Sequence, residues 1–389
     1  RGNALYMKDL RKPNAPFVAM ATDMDYTYAP IEVIGDKIYM FTNYNAPKYR
    51  LMTADINKPA LKDWTELVPE SENVLSDAGV IGEKLFLTYD KDAANHAYVY
   101  GLDGKEIQEI KLPSLGSVGF SGDKDDKECF FGFTSFTIPG ATYKYDMDAN
   151  TYELFRAPKV DFNSDEFITE QVFYPSKDGT KIPMFLTYKK DLKKDGKNPV
   201  YLYGTKMQKQ NVFDDFIAAA EYLINDKYTN KDKIAIVGGS NGGLLVGACM
   251  TQRPDLFRVA IPQVGVMDML RYHKFTIGWN WASDYGTSED SKEMFEYLKG
   301  YSPLHNLKPG TKYPATMVIT ADHDDRVVPA HSFKFAATLQ ECNDGTNPTI
   351  IRIESKAGHG AGKPMTKVLE EQADTYAFIM YNLGMKPKI

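Results

Sequence analysis

The chain has 389 residues, a formal net charge of −6, 43% hydrophobic and 25% charged residues. That length and apolar share support two or three domains with cores of their own, and the acidic balance argues against nucleic acid as the main partner. No apolar run approaches the roughly 18 residues of a membrane span, and three cysteines, Cys129, Cys249 and Cys342, are too few for a disulfide framework and lack metal-ligand spacing.

The first part of the chain repeats itself. Tyr6 to Pro13 is echoed by Leu51 to Pro59, and Gly35 to Phe41 by Gly82 to Leu87; from Asp9 to Asp55 is 46 positions and from Gly35 to Gly82 is 47. That is the period of a four-stranded propeller blade. A weaker third copy runs from Glu128 to Phe133 and on to Tyr143–Asp146. Residues 1–165 are therefore expected to form about three blades plus an N-terminal fragment, short of the roughly four to eight that close a ring. The competing reading is a plain antiparallel sandwich.

Beyond this region the pattern changes. Lys189 to Lys197 is basic but interleaved with aspartates and a glycine, which reads as a solvated turn. Pro199 to Gly204 follows, and Asn211 to Ile224 carries apolar residues at helical spacing, an amphipathic helix expected to cover a sheet face. Ile234 to Leu245 then runs from a β-branched strand through Gly238-Gly239-Ser240-Asn241-Gly242 into an apolar helix. A serine jutting from a sharp strand-to-helix turn needs neighbours without Cβ atoms, which Gly238 and Gly242 supply. Cys249, on the following helix, is expected to pack.

A serine hydroxyl needs a base to take its proton and a carboxylate to hold that base in one tautomer. Ala315 to Thr320 reads as a buried strand running into Asp322, His323, Asp324, Asp325 and Arg326; Thr349 to Ile353 reads as the next, followed by a glycine-rich loop carrying His359. The order Ser, Asp, His, each just past a strand, is that of the α/β-hydrolase fold. The expected triad is Ser240, Asp324 and His359, with the backbone N–H of Asn241 as an oxyanion donor. The aspartates could instead form a solvated acidic loop or a cation site, but His323 lacks the second spaced pair that zinc requires. No metal and no cofactor are expected.

From Lys206 to Leu383 the chain resembles the catalytic domain of the prolyl oligopeptidase family. The resemblance is carried by Asn211-Val212-Phe213-Asp214-Asp215-Phe216, the Ser240 elbow, Asp284-Tyr285-Gly286, Tyr301-Ser302-Pro303-Leu304-His305-Asn306, Asp322 to Pro329 and Gly358-His359-Gly360-Ala361-Gly362. Residues before about 165 look like later blades of that family's seven-bladed propeller. The resemblance implies a partial propeller over 1–165 and an α/β-hydrolase domain, a doubly wound sheet, over 166–389. It also implies that several tens of residues are lacking between Gly204 and Thr205, where the family keeps the tyrosine that donates to the oxyanion, a phenylalanine of the proline pocket and another strand. Tyr203 aligns just before that element and is not the oxyanion donor. Either the chain is shortened there or the residues on either side of that junction are discontinuous in the parent protein, and the second reading is favoured because losing a core strand would strand apolar faces and backbone groups.

The same resemblance assigns the substrate pocket. Trp281 would stack on proline, Val266, Ile277, Tyr285 and Val327 would line the slot, and Arg326 would hydrogen-bond a substrate carbonyl. The implied activity is serine endopeptidase hydrolysis of short proline-containing peptides on the carboxyl side of proline, by a monomer with no membrane or nucleic-acid partner. A periplasmic location is expected, with the cytoplasm as alternative. The rival classes are a dipeptidyl peptidase of the same architecture, which must anchor a free substrate amine, and a non-catalytic propeller binding protein.

Overall fold

In the computed structural model, which describes residues 2–204, 209–360 and 362–386, the chain divides into two compact units. The first holds residues 2–172 with Phe185–Lys190, and the second Phe173–Met184 with the described residues from Asp191 onward. The division falls within a hairpin a few residues beyond the 165/166 boundary implied by the resemblance.

The first unit is a stack of antiparallel sheets. A two-stranded fragment, β1 (Leu5–Met7) and β2 (Val18–Ala21), precedes three four-stranded sheets. These are β3 (Tyr28–Ile34), β4 (Lys37–Thr42), β5 (Arg50–Asp55) and β6 (Thr65–Val68); β7 (Val74–Ile81), β8 (Lys84–Lys91), β9 (Ala94–Gly101) and β10 (Glu106–Ile110); and β11 (Ser117–Ser121), β12 (Cys129–Thr134), β13 (Ala141–Asp146) and β14 (Thr151–Arg156). Strands pair in chain order within each sheet, as in propeller blades.

The repeated residues have local work. Gly35 and Gly82 take φ of +60° and +52° in the two-residue loops joining β3 to β4 and β7 to β8, where a hairpin twist favours residues without a Cβ. Asp9 and Asp55 accept from the backbone N–H two residues on, at 3.1 and 2.7 Å, closing turns after β1 and β5. Neighbouring blades share cores: Tyr39, Leu51, Leu75, Leu85 and Leu87 pack between the first and second, and Phe86, Val99, Phe131 and Tyr145 between the second and third. A two-sheet sandwich is excluded by three separate stacked sheets.

After the hairpin β15 (Phe167–Pro175) and β16 (Lys181–Lys189), the second unit alternates strand and helix. Its five-stranded sheet runs β17 (Val200–Tyr203), β18 (Ile234–Gly239), β19 (Val259–Gln263), β20 (Ala315–Ala321) and β21 (Thr349–Glu354), all parallel. β20 is buried at every residue, the near-continuous apolar run of a sheet covered on both faces. The helices are α1 (Lys209–Asn225), α2 (Asn241–Gln252), α3 (Ala282–Tyr285), α4 (Lys292–Tyr301), α5 (Ala330–Cys342) and α6 (Met365–Asn382). On α1 the residues Phe213, Phe216, Ala220 and Leu223 are buried, the face its periodicity predicted. Cys249 on α2 is fully buried, and burial pushes its thiol well up, so it packs and does not react. The Lys189–Lys197 stretch turns on an Asp195 carboxylate that accepts from the Lys197 N–H at 3.0 Å, and Lys194 pairs with Asp226 at 3.2 Å.

β17 lies at one edge of this sheet, with Tyr201 and Tyr203 about half exposed. The expected discontinuity after Gly204 abuts residues 205–208, which lie outside the described residues.

The elbow glycines are required by contact distances. A Cβ on Gly238 would sit 2.4 Å from the Gly242 carbonyl oxygen, and one on Gly242 would sit 2.8 Å from that of Gly204. Both obstacles are backbone. Gly238→Ala is expected to destabilise the second unit by at least about 1–3 kcal/mol, since overpacking here has no flexible side chain to displace. A denaturant titration giving the wild-type midpoint would refute this.

Candidate active site

Ser240 stands between β18 and α2 with φ +58° and ψ −114°, a backbone conformation that L-residues rarely adopt. The strain is held by its surroundings: the Ser240 N–H donates to the Gln263 carbonyl at 2.8 Å, and its own carbonyl accepts from Gly243 and Leu244 at 2.9 and 3.2 Å. Asn241 is the first residue of α2, so its N–H has no intrahelical acceptor and adds to the positive end of the helix dipole beside the serine. Val264, just past β19, is also strained, with φ +41° in a β-branched residue, and its N–H donates to the Ile319 carbonyl at 2.8 Å.

The two expected partners are brought to the serine by the loops after β20 and β21. The Ser240 hydroxyl lies 3.0 Å from His359 Nε2, and His359 Nδ1 lies 2.7 Å from Asp324 Oδ2. Asp324 is 2% exposed. Its other oxygen, Oδ1, accepts from the backbone N–H of Arg326 at 3.0 Å and of Val327 at 2.8 Å, so the carboxylate is held in one orientation. The neighbouring acidic residues separate by role. Asp322 bonds the exposed His323 ring at 2.6 Å and receives the Ala357 N–H at 3.4 Å, bracing the start of the histidine loop, and Asp325 is exposed. No group of three metal-ligating side chains occurs among the described residues.

Ser240, His359 and Arg326 line a cavity of about 470 Å³. Arg326 is exposed and makes no ion pair among the described residues. The walls also include Gln263, Val264, Lys363 and Glu371, none of which local sequence pattern singles out. A larger cleft of about 1050 Å³ in the propeller, lined by Lys84, Lys124 and Lys144 among others, contains no triad residue.

None of Trp281, Val266, Ile277, Tyr285 and Val327 lines the cavity that holds Ser240. Val266, Val327 and Tyr285 are buried, Ile277 is exposed, and Trp281 is half-buried. Trp281 stacks on the buried Tyr272 at 6.3 Å between centroids and 14° between planes, with Tyr285 edge-on to the same ring at 5.2 Å. Trp281 and Tyr285 thus form an aromatic layer packed on Tyr272.

A second buried polar cluster went unread in the sequence. Asp268 is fully buried and pairs with Lys334, and its N–H donates at 3.1 Å to Nδ1 of His331, itself 1% exposed. Burial alone would push the Asp268 carboxyl up, but the Lys334 ammonium bonded to it holds it below the usual carboxylate range. Burial pushes His331 down to about 4.

Comparison with known proteins points one way. Residues 201–386 match the model of the Prolyl oligopeptidase family, and residues 1–158 match that of the Prolyl oligopeptidase N-terminal beta-propeller domain. The chain is 47% identical to the prolyl endopeptidase of Elizabethkingia meningoseptica over 99% of its own length and 61% of that protein's. That alignment runs over 431 residues against the chain's 389, so the relative carries stretches with no counterpart here. A solved structure from a study of two prolyl endopeptidases and inter-domain dynamics superposes with a TM-score of 0.89 at 37% identity, covering 99% of this chain and 63% of that one. Prolyl oligopeptidase B from Galerina marginata, bound to a 35mer hydrolysis and macrocyclization substrate, matches with a TM-score of 0.89 at 31% identity, covering 99% and 62%. The chain spans about 61% of the length of the curated relatives it matches first.

Proposed function

This chain belongs to the prolyl oligopeptidase family, and from that membership we propose that it carries the catalytic centre of a serine endopeptidase cleaving short peptides on the carboxyl side of proline. The observation that carries the reading is the continuous hydrogen-bond line from Ser240 through His359 to the buried Asp324.

In this mechanism His359 Nε2 takes the hydroxyl proton as Ser240 Oγ bonds to the peptide carbonyl carbon, and Asp324 holds the ring by its Nδ1–H and stabilises the cation that forms. The Asn241 N–H donates to the developing oxyanion. Collapse breaks the C–N bond, His359 returns the proton to the leaving amine, and water then hydrolyses the acyl ester by the same route in reverse. Arg326, lining the cavity with a guanidinium free of carboxylate partners among the described residues, suits a substrate backbone carbonyl. Proline specificity and the limit to short peptides rest on the family likeness.

The test is an N-terminally blocked peptide with one internal proline, incubated with the intact protein before and after treatment with a fluorophosphonate probe. Mass spectrometry is expected to find cleavage after the proline, its loss on treatment, and the adduct on the Ser240 peptide. Cleavage that requires a free amino terminus would favour the dipeptidyl alternative, and absence of an adduct would favour a binding protein.

A further inference from the structure

Histidine reactivity depends on a loop that is poorly suited to holding a ring still. His359 lies between Gly358 and Gly360, and both Gly360 and Gly362 have positive φ, +124° and +75°. Glycine-rich backbone has the most conformational freedom to lose. Yet the imidazole must stay within hydrogen-bond reach of Ser240 and Asp324 together. Its placement therefore has to be imposed from outside the loop.

The start of the loop is tied down. The Lys367 ammonium donates to the Ser355 carbonyl at 2.6 Å and pairs with Glu354 at 2.9 Å, and His323 N–H donates to the Ala357 carbonyl at 3.1 Å. At its other end the attachment is Lys363. Its Nζ lies 2.8 Å from Glu371 Oε2 on α6, and the two side chains are only 9% and 16% exposed. Glu371 is itself immobilised, because the same oxygen takes Arg352 Nη1 of β21 at 3.3 Å, while Arg352 also pairs with Glu354 at 3.0 Å and Asp374 at 2.8 Å. Both Lys363 and Glu371 wall the cavity that Ser240 and His359 line.

We infer that Lys363 is a positioning residue for His359: its buried ion pair with Glu371 clasps the far end of the glycine-rich loop to α6 and β21. The inference rests on the reading of Ser240 and His359 as the reactive pair. An exposed pair of this kind would contribute little, but here solvent is largely excluded and the acceptor is held by a second cation. Without Lys363, Glu371 keeps Arg352, so the fold loses little. The loop, in contrast, gains freedom, and reactivity falls with the fraction of time the ring is in register.

The test is the second-order rate of fluorophosphonate labelling of Ser240, read beside the thermal midpoint, in the intact protein and in Lys363→Met, Lys363→Arg and Glu371→Gln. Labelling is expected to slow by about 10- to 100-fold in Lys363→Met, with a near-native midpoint, and to recover most of its rate in Lys363→Arg. Glu371→Gln supplies the same readout should Lys363→Met fail to fold. Wild-type labelling by Lys363→Met, or slowing that merely follows a lowered midpoint in both variants, overturns the inference and leaves the triad standing. Failure of the unaltered protein to label at all overturns the triad reading and the inference with it.

Discussion

Asp324→Asn is expected to slow both Ser240 labelling and peptide hydrolysis by about 10⁴-fold while leaving the fold intact. The reason lies in the two backbone N–H groups. Because Arg326 and Val327 both donate to Oδ1, an asparagine must put its carbonyl oxygen there and its NH₂ where Oδ2 now receives His359 Nδ1–H. The ring must then present Nδ1 as an acceptor and carry its hydrogen on Nε2, facing the Ser240 hydroxyl. In that tautomer Nε2 has no lone pair to take the hydroxyl proton. Were the amide free to flip, the loss would be far smaller, so the magnitude itself reads the rigidity of the loop after β20. Steady-state hydrolysis of the blocked proline peptide measures it. A loss under tenfold, with the asparagine present and folded, would mean that Asp324 does not set the tautomer.

The parts of the molecule that were legible in the sequence are those whose cause is local. Gly238 announces the elbow because the obstacle to a Cβ there is the turn's own backbone, the Gly242 carbonyl. Asp324 and His359 were found because each falls a few residues after an apolar strand, where a parallel sheet delivers its loops to one edge. The 46-residue and 47-residue repeats were visible because hairpin glycines and Asx turns recur at the same place in each blade. What stayed hidden depends on long-range pairing. Asp268 meets His331 across 63 residues and Lys334 across 66, and no window of sequence contains both ends. Lys363 and Glu371 sit closer, but one belongs to a loop and the other to a helix, so neither periodicity marks them. The unit division at Val172/Phe173, with Phe185–Lys190 returned to the first unit, also follows from strand pairing within a hairpin, which the blade repeat does not mark.

The His331 cluster makes the protein's stability depend on pH in a definite window. His331 Nδ1 accepts the Asp268 N–H at 3.1 Å, and the Phe275 ring meets it edge-on at 5.0 Å. Burial in a site with almost no water disfavours the imidazolium, the more so because a proton on Nδ1 would face the Asp268 N–H, and the attraction of Asp268 and Asp324, opposed by Lys334, offsets this only partly. The ring therefore titrates near 6.5 when unfolded and at about 4 when folded. Between those values the unfolded chain binds the extra proton, so unfolding free energy rises with pH there and is lost on acidification from about 6.5 down to about 4. The size is on the order of 3 kcal/mol, at about 1.4 kcal/mol for each pH unit between those two values. Asp268 acts in a separate window. Its lowered carboxyl gives stability that is present above about 3.9 and lost only as pH falls further. Denaturant titrations from pH 7 to 4 on the wild type and on His331→Asn, whose amide oxygen can accept the same N–H but does not titrate, isolate the histidine contribution. The variant is expected to start lower at pH 7 and to lose less stability on the way down. Parallel curves for the two proteins would show that His331 is not held neutral by the fold.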